Sequence, residues 1–447
     1  MTGVPDVPHA VPDGQIGCVI PHPGGMELAQ PAFFTVFTER NTMSTRLRIL
    51  FVDDEASILD GLRRLLRPLR DEWEVFTANG GLEALTLLER EPLDVIVTDM
   101  RMPGIDGAQL LEAVRKQHPH MVRIVLSGQS DQETLLRSIG PVHQYLNKPC
   151  DLGLLKAAVS RSRALRLAIH DPAVADLVAG ISSLPSLPEL YVKILTCLRS
   201  PDPSISRIGE IVAQDIGMSA RVLQLVNSAL FSLPRTITSP TEAVSLLGID
   251  AVRMMTLAVE ICTHGANAPA GGVTTEGVWQ HSLMVAHLAK AIAQSERQSP
   301  DLCNAAFSAG LMHDCGKLVL AHHLPERYRQ LMTNELQQHQ NFEIVERETL
   351  GVSHANVGGY LLSLWGLPDA IIEAVVFHHR PGVCPAAHFT PLSAVHIAEG
   401  FETCGAFTSM DAVETYLDNE YIARLDLAHR IPAWTTIAQA IKAKVGT

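Results

Sequence analysis

The 447-residue chain has no run approaching the roughly 18 consecutive apolar residues of a membrane span. Its richest stretch, Met254 to Ile261, is short and soon broken by polar residues and glycines. Insertion into a membrane is therefore not expected. Clusters of lysine and arginine are also missing, and the formal net charge is −13. Nucleic acid is a polyanion gripped largely by basic side chains, so direct binding to it is not expected either. The eight cysteines include no C-x-x-C pair. That scatter argues against a disulfide framework and fits reduced thiols in a cytoplasmic protein. Nor does the chain open with a basic stretch followed by an apolar one, the pattern of a signal peptide.

What is present is a hydrophobic fraction of 47%, enough to bury more than one core. The length allows two or three domains. Residues 1–45 stand apart, with prolines and glycines in quick succession at Val11-Pro12-Asp13-Gly14 and Pro21-His22-Pro23-Gly24-Gly25. Such a segment has little to bury and reads as a disordered tail.

A regular pattern begins at Leu47. Apolar strand-like runs at Leu47–Val52, Trp73–Ala78, Asp94–Thr98, Val122–Leu126 and Gln144–Leu146 alternate with helical spacing at Ala56–Leu66, Leu82–Leu88 and Ala108–Val114. This alternation predicts an α/β, flavodoxin-like, doubly wound parallel sheet over residues 46–160. Ligands in such sheets bind beyond the carboxyl ends of the strands. Asp53 and Asp54 follow the first run, Asp99 the third, Ser127 the fourth, and Lys148 comes just after the fifth. Three carboxylates gathered at one sheet edge repel one another, and Mg²⁺ suits such a set together with water and phosphate oxygens. Asp99 can then attack a phosphoryl group, with the cation and Lys148 offsetting charge on the transferring oxygens.

Residues 47–165 resemble the receiver domain of two-component response regulators. The resemblance rests on Val52-Asp53-Asp54-Glu55, Thr98-Asp99-Met100-Arg101-Met102-Pro103-Gly104, Leu126-Ser127-Gly128 and Lys148-Pro149. It implies that Asp99 is the phosphoacceptor and that Asp53 or Asp54, Asp99 and the Arg101 carbonyl hold Mg²⁺. It further implies that Ser127 and Lys148 contact the phosphoryl group, that Tyr145 is the aromatic switch residue, and that a sensor histidine kinase is the partner.

Residues 161–176 read as a helical linker. From Leu177 onward only helical spacing appears, as in Ile205–Gln214, Ser219–Ala229, Pro240–Gly248 and Asp250–Ile261. An all-α bundle is predicted over 177–402, with added C-terminal helices over 403–447. Its chemistry lies in His281, His313-Asp314, His354, His378-His379 and Glu399. Histidines and carboxylates on helices facing one core are ordinary ligands for a divalent metal, although a lone buried histidine is more often a satisfied core residue.

This region resembles the HDOD domain, a relative of the HD phosphohydrolases. The resemblance is carried by Leu184-Pro185-Ser186-Leu187-Pro188, Ile211-Val212-Ala213-Gln214-Asp215 and Val226-Asn227-Ser228-Ala229-Leu230-Phe231. Such domains resemble HD hydrolases that have usually lost catalytic residues and serve as regulatory modules. This chain departs from that pattern by keeping His281, His313, Asp314 and, where HD enzymes carry a last aspartate, Glu399. Lys317 matches the lysine that follows the His-Asp pair and is the catalytic candidate. The HD-GYP class is not indicated, because Arg380-Pro381-Gly382-Val383-Cys384 stands where its signature segment would follow.

Two functions follow. The favoured one is a phosphorylation-driven, non-catalytic switch acting on an unidentified downstream protein or on a second copy of the chain as a homodimer. The alternative is a phosphorylation-gated, metal-dependent phosphohydrolase, with His354, His378 and His379 at the rim of the metal site. Deleting residues 1–42 is expected to leave the thermal midpoint within about 1 °C, and a large fall in the melt would show that the tail is packed.

Overall fold

A computed structural model describes residues 46–127, 142–148, 150–167, 169, 171–181, 184, 188–198, 200, 203–227, 233–260, 275–338, 342–404, 413 and 415–445. The expected tail falls outside the described residues.

Five strands, β1 (Leu47–Val52), β2 (Trp73–Ala78), β3 (Val95–Asp99), β4 (Val122–Ser127) and β5 (Gln144–Asn147), form one parallel sheet in the order β2-β1-β3-β4-β5. Helices α1 (Ala56–Leu65), α2 (Gly81–Leu88) and α3 (Gly107–Gln117) connect them, and α4 (Leu152–Leu167) follows β5. The alternation along β1 explains why both faces must be covered: Ile49 and Phe51 enter one core, Leu50 and Val52 the other. The second core is confined to the receiver. The first is continuous with the interior of the helical region, so the two halves share one apolar interior on that face.

The residues read as a linker form two helices, not one. Helix α4 ends at Leu167, and α5 (Pro172–Gly180) starts afresh, with Asp171 capping Ala173 N and Pro172 in the first turn. Proline lacks the N–H that a continuous helix would need there, which overrides the apolar spacing across 161–176.

The rest is helical, as expected: α6 (Pro188–Leu198), α7 (Ile205–Val212), α8 (Ile216–Val226), α9 (Pro240–Glu260), α10 (Thr275–Ser295), α11 (Pro300–Met312), α12 (Cys315–His323), α13 (Pro325–Gln338), α14 (Phe342–Leu350), α15 (His354–Leu364), α16 (Asp369–Phe377), α17 (Pro391–Thr403), α18 (Asn419–Arg424) and α19 (Ile431–Val445). Helix α9 is kinked at Gly248, whose φ of 80° lies in the left-handed region. The last helix docks on the bundle through fully buried Trp434, whose Nε1 donates to Glu296 Oε1 at 2.8 Å, beside an Arg430–Glu296 ion pair of 2.9 Å.

Helix α15 is the axis of this half. Every one of its residues is buried, with α12 and α16 packed on it together with α4 and α5. It approaches α12 so closely that a Cβ on Gly316 would stand 1.9 Å from the His354 carbonyl oxygen. Gly316→Ala is expected to force the helices apart and cost about 1–3 kcal/mol. Chemical denaturation measures this, and a loss below about 0.5 kcal/mol would contradict so tight a crossing.

Candidate functional sites

The first site forms where β1 and β3 end. Parallel pairing brings the last residues of β1, β3 and β4 to one edge. Lys148, just beyond β5, reaches across it, with Nζ 2.8 Å from Asp53 Oδ2 and 2.9 Å from Asp99 Oδ1. Asp53 is buried and its other oxygen accepts from Glu55 N at 2.9 Å, whereas Asp54 is exposed. Burial pushes the Asp99 carboxyl above its ordinary range, against the pull of Lys148. Burial also opposes charge on Lys148, but the hydrogen bonds it donates to Asp53 and Asp99 outweigh this and hold the ammonium above its usual range.

The expected residues thus meet: Asp53, Asp99 and Lys148 touch, while Asp54 and Arg101 flank them. Tyr145 is buried in the second core, and burial raises its hydroxyl well above the ordinary range. Ser127 ends β4 at the same edge, paired in register with Asn147, and its side chain lies outside the described residues.

The second site is a pocket of imidazoles around one carboxylate. His313 caps the end of α11, Asp314 lies in the turn before α12, and His281 projects from α10. His354 begins α15, His378 and His379 follow α16, and Glu399 lies on α17. Asp314, 1% exposed, is the hub. Its Oδ2 is 3.5 Å from both His281 Nε2 and His313 Nε2, and its Oδ1 is 3.2 Å from His354 Nε2 and 4.0 Å from His378 Nε2. Lys317 Nζ donates to Asp314 Oδ2 at 2.6 Å.

Two trios result, His281–His313–Asp314 and His354–His378–His379, and within each the ligand atoms lie within 4.8 Å of one another. Glu399 Oε2 joins the first, 2.9 Å from His281 Nε2 and 3.2 Å from His313 Nε2. Burial alone would raise the Asp314 carboxyl, but His313, Lys317 and His354 outweigh it and hold the group well below the usual carboxylate range. Burial and neighbouring imidazoles depress His378 and His379 well below the ordinary histidine range, which keeps them neutral. His313 and His378 donate from Nδ1 to the Gly310 and Val375 carbonyls, at 2.7 and 2.8 Å, which turns each Nε2 lone pair into the pocket.

This donor set fits a divalent metal. His378 Nε2 is buried without a hydrogen-bond partner, and Asp314 Oδ1 and Glu399 Oε2 lie within 3.2 Å of imidazole nitrogens without a well-aligned hydrogen bond. Facing nitrogens of His354 and His379 stand 3.1 Å apart, a contact that needs a proton or a cation between the lone pairs. The arrangement corrects one expectation: His354 and His378 are fully buried in the pocket wall and do not lie at its rim, because α15 and α16 are interior helices. Sequence reading also missed two orienting carboxylates. Glu346 accepts from His354 Nδ1 at 2.5 Å, and Glu402 pairs with His281 Nδ1 at 2.6 Å. Glu402 had a signal, three residues past Glu399 and so on the same helix face.

Comparison with known proteins places both halves. The response regulator receiver domain model matches residues 49–160 and the HDOD domain model matches 184–381. The chain is a response regulator that carries an HDOD output domain. An uncharacterized protein of Treponema pallidum is 25% identical over 228 residues, 50% of this chain and 43% of that protein. The hydrogenase transcriptional regulatory protein HoxA of Cupriavidus necator is 42% identical over 103 residues, 23% of this chain and 21% of its own length. The chain therefore spans less than half the length of these relatives. Among solved structures, the MmoQ response regulator of Methylococcus capsulatus aligns at 23% identity with a TM-score of 0.42, covering 55% of this chain and 98% of that one. No helix among the described residues is long and apolar enough to cross a membrane. Glu399 lies beyond the matched HDOD segment, on a helix that completes the pocket.

Lys148→Ala is expected to lower stability by about 1–3 kcal/mol in Mg²⁺-free buffer, because two carboxylates lose their shared partner. Millimolar Mg²⁺ should restore much of that loss. Thermal melts with and without the ion measure this, and a loss that Mg²⁺ leaves untouched would contradict the arrangement.

Proposed function

We propose that a sensor histidine kinase phosphorylates this protein on Asp99 with the help of Mg²⁺, and that the HDOD domain relays the change to a downstream protein. The observation that carries this reading is Lys148 shared between Asp53 and Asp99 at the carboxyl edge of the sheet. Asp53, Asp54, Asp99 and the Arg101 carbonyl are the residues to hold Mg²⁺, which supplies charge neutralisation as the phosphoryl group moves. The Asp99 carboxylate attacks phosphorus, the bond to the donor breaks, and an acyl phosphate forms. Lys148 stands ready to pair with its oxygens, and Ser127 is the expected hydroxyl contact. The measurement is labelling by acetyl phosphate with Mg²⁺: wild type gains one phosphoryl group per chain and Asp99→Asn gains none. Equal labelling of the variant would end the assignment.

One observation favours a second reading of the output domain. Asp314 presents one oxygen to each histidine trio, and neutral His378 and His379 have lone pairs to give. A divalent ion held there would supply Lewis acidity and a more acidic water, the chemistry of phosphoester hydrolysis. Lys317 then has two tasks at its stated place: it holds Asp314 in position, and it offers positive charge to a phosphoryl ligand. Metal analysis of the full chain decides between these readings. About one or more equivalents in wild type, lost in Asp314→Ala together with any hydrolysis of bis(p-nitrophenyl) phosphate, supports the metal site. Metal-free wild type leaves the regulatory reading alone.

A further inference from the structure

The His354–His378–His379 trio stands on two helices, and the receiver holds each by the end opposite its histidines. Helix α15 starts at His354. Near its other end the Ser363 carbonyl accepts from Gln144 Nε2 at 2.9 Å, and Gln144 is the first residue of β5. Helix α16 leads into His378 and His379, and its first residue, Asp369, is ion-paired with Arg161 of α4. The other trio is mounted differently: α10, which carries His281, packs on α11, α17 and the C-terminal α19, and meets the receiver-held helices through the packing of α11 and α17 on α16.

These clasps lie at the edge of the sheet opposite Asp99. Strands β4 and β5 run from that edge to the phosphorylation site, ending at Ser127 and just before Lys148. At their starting edge fully buried Arg123 donates to the Ala179 carbonyl of α5 at 2.8 Å, with its guanidinium 2.6 Å from His143 Nε2. The His143 carbonyl accepts from Gln224 Nε2 of α8 at 3.1 Å. Strand β5 is thus a strut of about 13 Å between Lys148 and Gln144.

From this we infer that charge on Asp99 is read selectively by the His354–His378–His379 half of the pocket, through Gln144 and Arg161 as positioning residues. The inference rests on the proposed phosphorylation of Asp99 and needs no metal. A phosphoryl group draws Lys148 away from Asp53. Lys148 continues directly from β5, so the strand and the helix after it shift against their clasps. The grips on Ser363 and Asp369 loosen, and α15 and α16 move as stiff bodies. The His281–His313 half, anchored by the packing of α10 on α17 and α19, stays in place.

The test is amide hydrogen exchange of the full chain with Mg²⁺, with and without beryllofluoride. Exchange in 354–364 and 369–379 is expected to rise by about fivefold or more, while 275–295 and 300–312 stay within about twofold. Gln144→Glu, which keeps the side-chain shape but removes the donor, and Arg161→Ala should leave the receiver's response intact and abolish the rise. A receiver that responds while 354–379 does not, or an equal response in both halves of the pocket, overturns the inference. A receiver that shows no response at all, visible at 95–107 and 144–148, instead overturns the phosphorylation reading and the inference with it. A second readout is the Mn²⁺ affinity of the full chain: about a fivefold change with beryllofluoride, lost in Gln144→Glu, supports selective reading, and an unchanged affinity in a chain that binds both counts against it.

Discussion

Asp314 is a carboxylate with almost no access to water, and the helical half is organised around the need to keep it charged. An isolated buried carboxylate costs several kcal/mol and would take up a proton instead. Here Lys317 and imidazoles from three other segments surround it. That requirement accounts for much of the local architecture. It places a histidine at the end of α11 and at the start of α15, draws α12 against α15 at Gly316, and leaves each outer nitrogen with its own acceptor in Gly310, Val375, Glu346 or Glu402. The receiver repeats the principle on a smaller scale, with one ammonium serving two carboxylates, Asp53 and Asp99. There the balance is adjustable, because the shared ammonium of Lys148 is partly exposed at a sheet edge.

The two halves are mechanically joined more closely than their separate family matches imply. One apolar core passes from the inner face of the sheet into the bundle, and buried polar contacts at Arg123, His143 and Gln144 fasten the starting ends of β4 and β5 to α5, α8 and α15. Packed interiors move between discrete arrangements and resist gradual deformation. A change at one end of β5 therefore has few ways to be absorbed before it reaches the other.

Much of this was legible in the residues. Short apolar runs, with alternation at Trp73–Ala78, located all five strands, and the acids and Lys148 at their ends located the first site. Asp53, Asp99 and Lys148 meet as that reasoning requires. The helical half was legible as a list of histidines without their depth. Nothing in the spacing of His354 and His378 tells that α15 is buried on every side, so they were placed at a rim when they form the wall. Glu346 was invisible because its contact with His354 depends on how α14 folds back. The linker was misjudged because apolar spacing spoke for one helix while Pro172 ended it. Arg123 and His143 drew no attention at all, since an interface between two domains leaves no periodic mark.

Phosphorylation of Asp99 and its reading by the helical half meet at Lys148, which in the resting chain pairs with both Asp53 and Asp99. A crystal structure of the full chain with Mg²⁺ and beryllofluoride tests both most directly. The account predicts beryllofluoride on Asp99, with Lys148 drawn from Asp53 onto it. Beryllofluoride on Asp99 with Lys148 still held by Asp53 would contradict it.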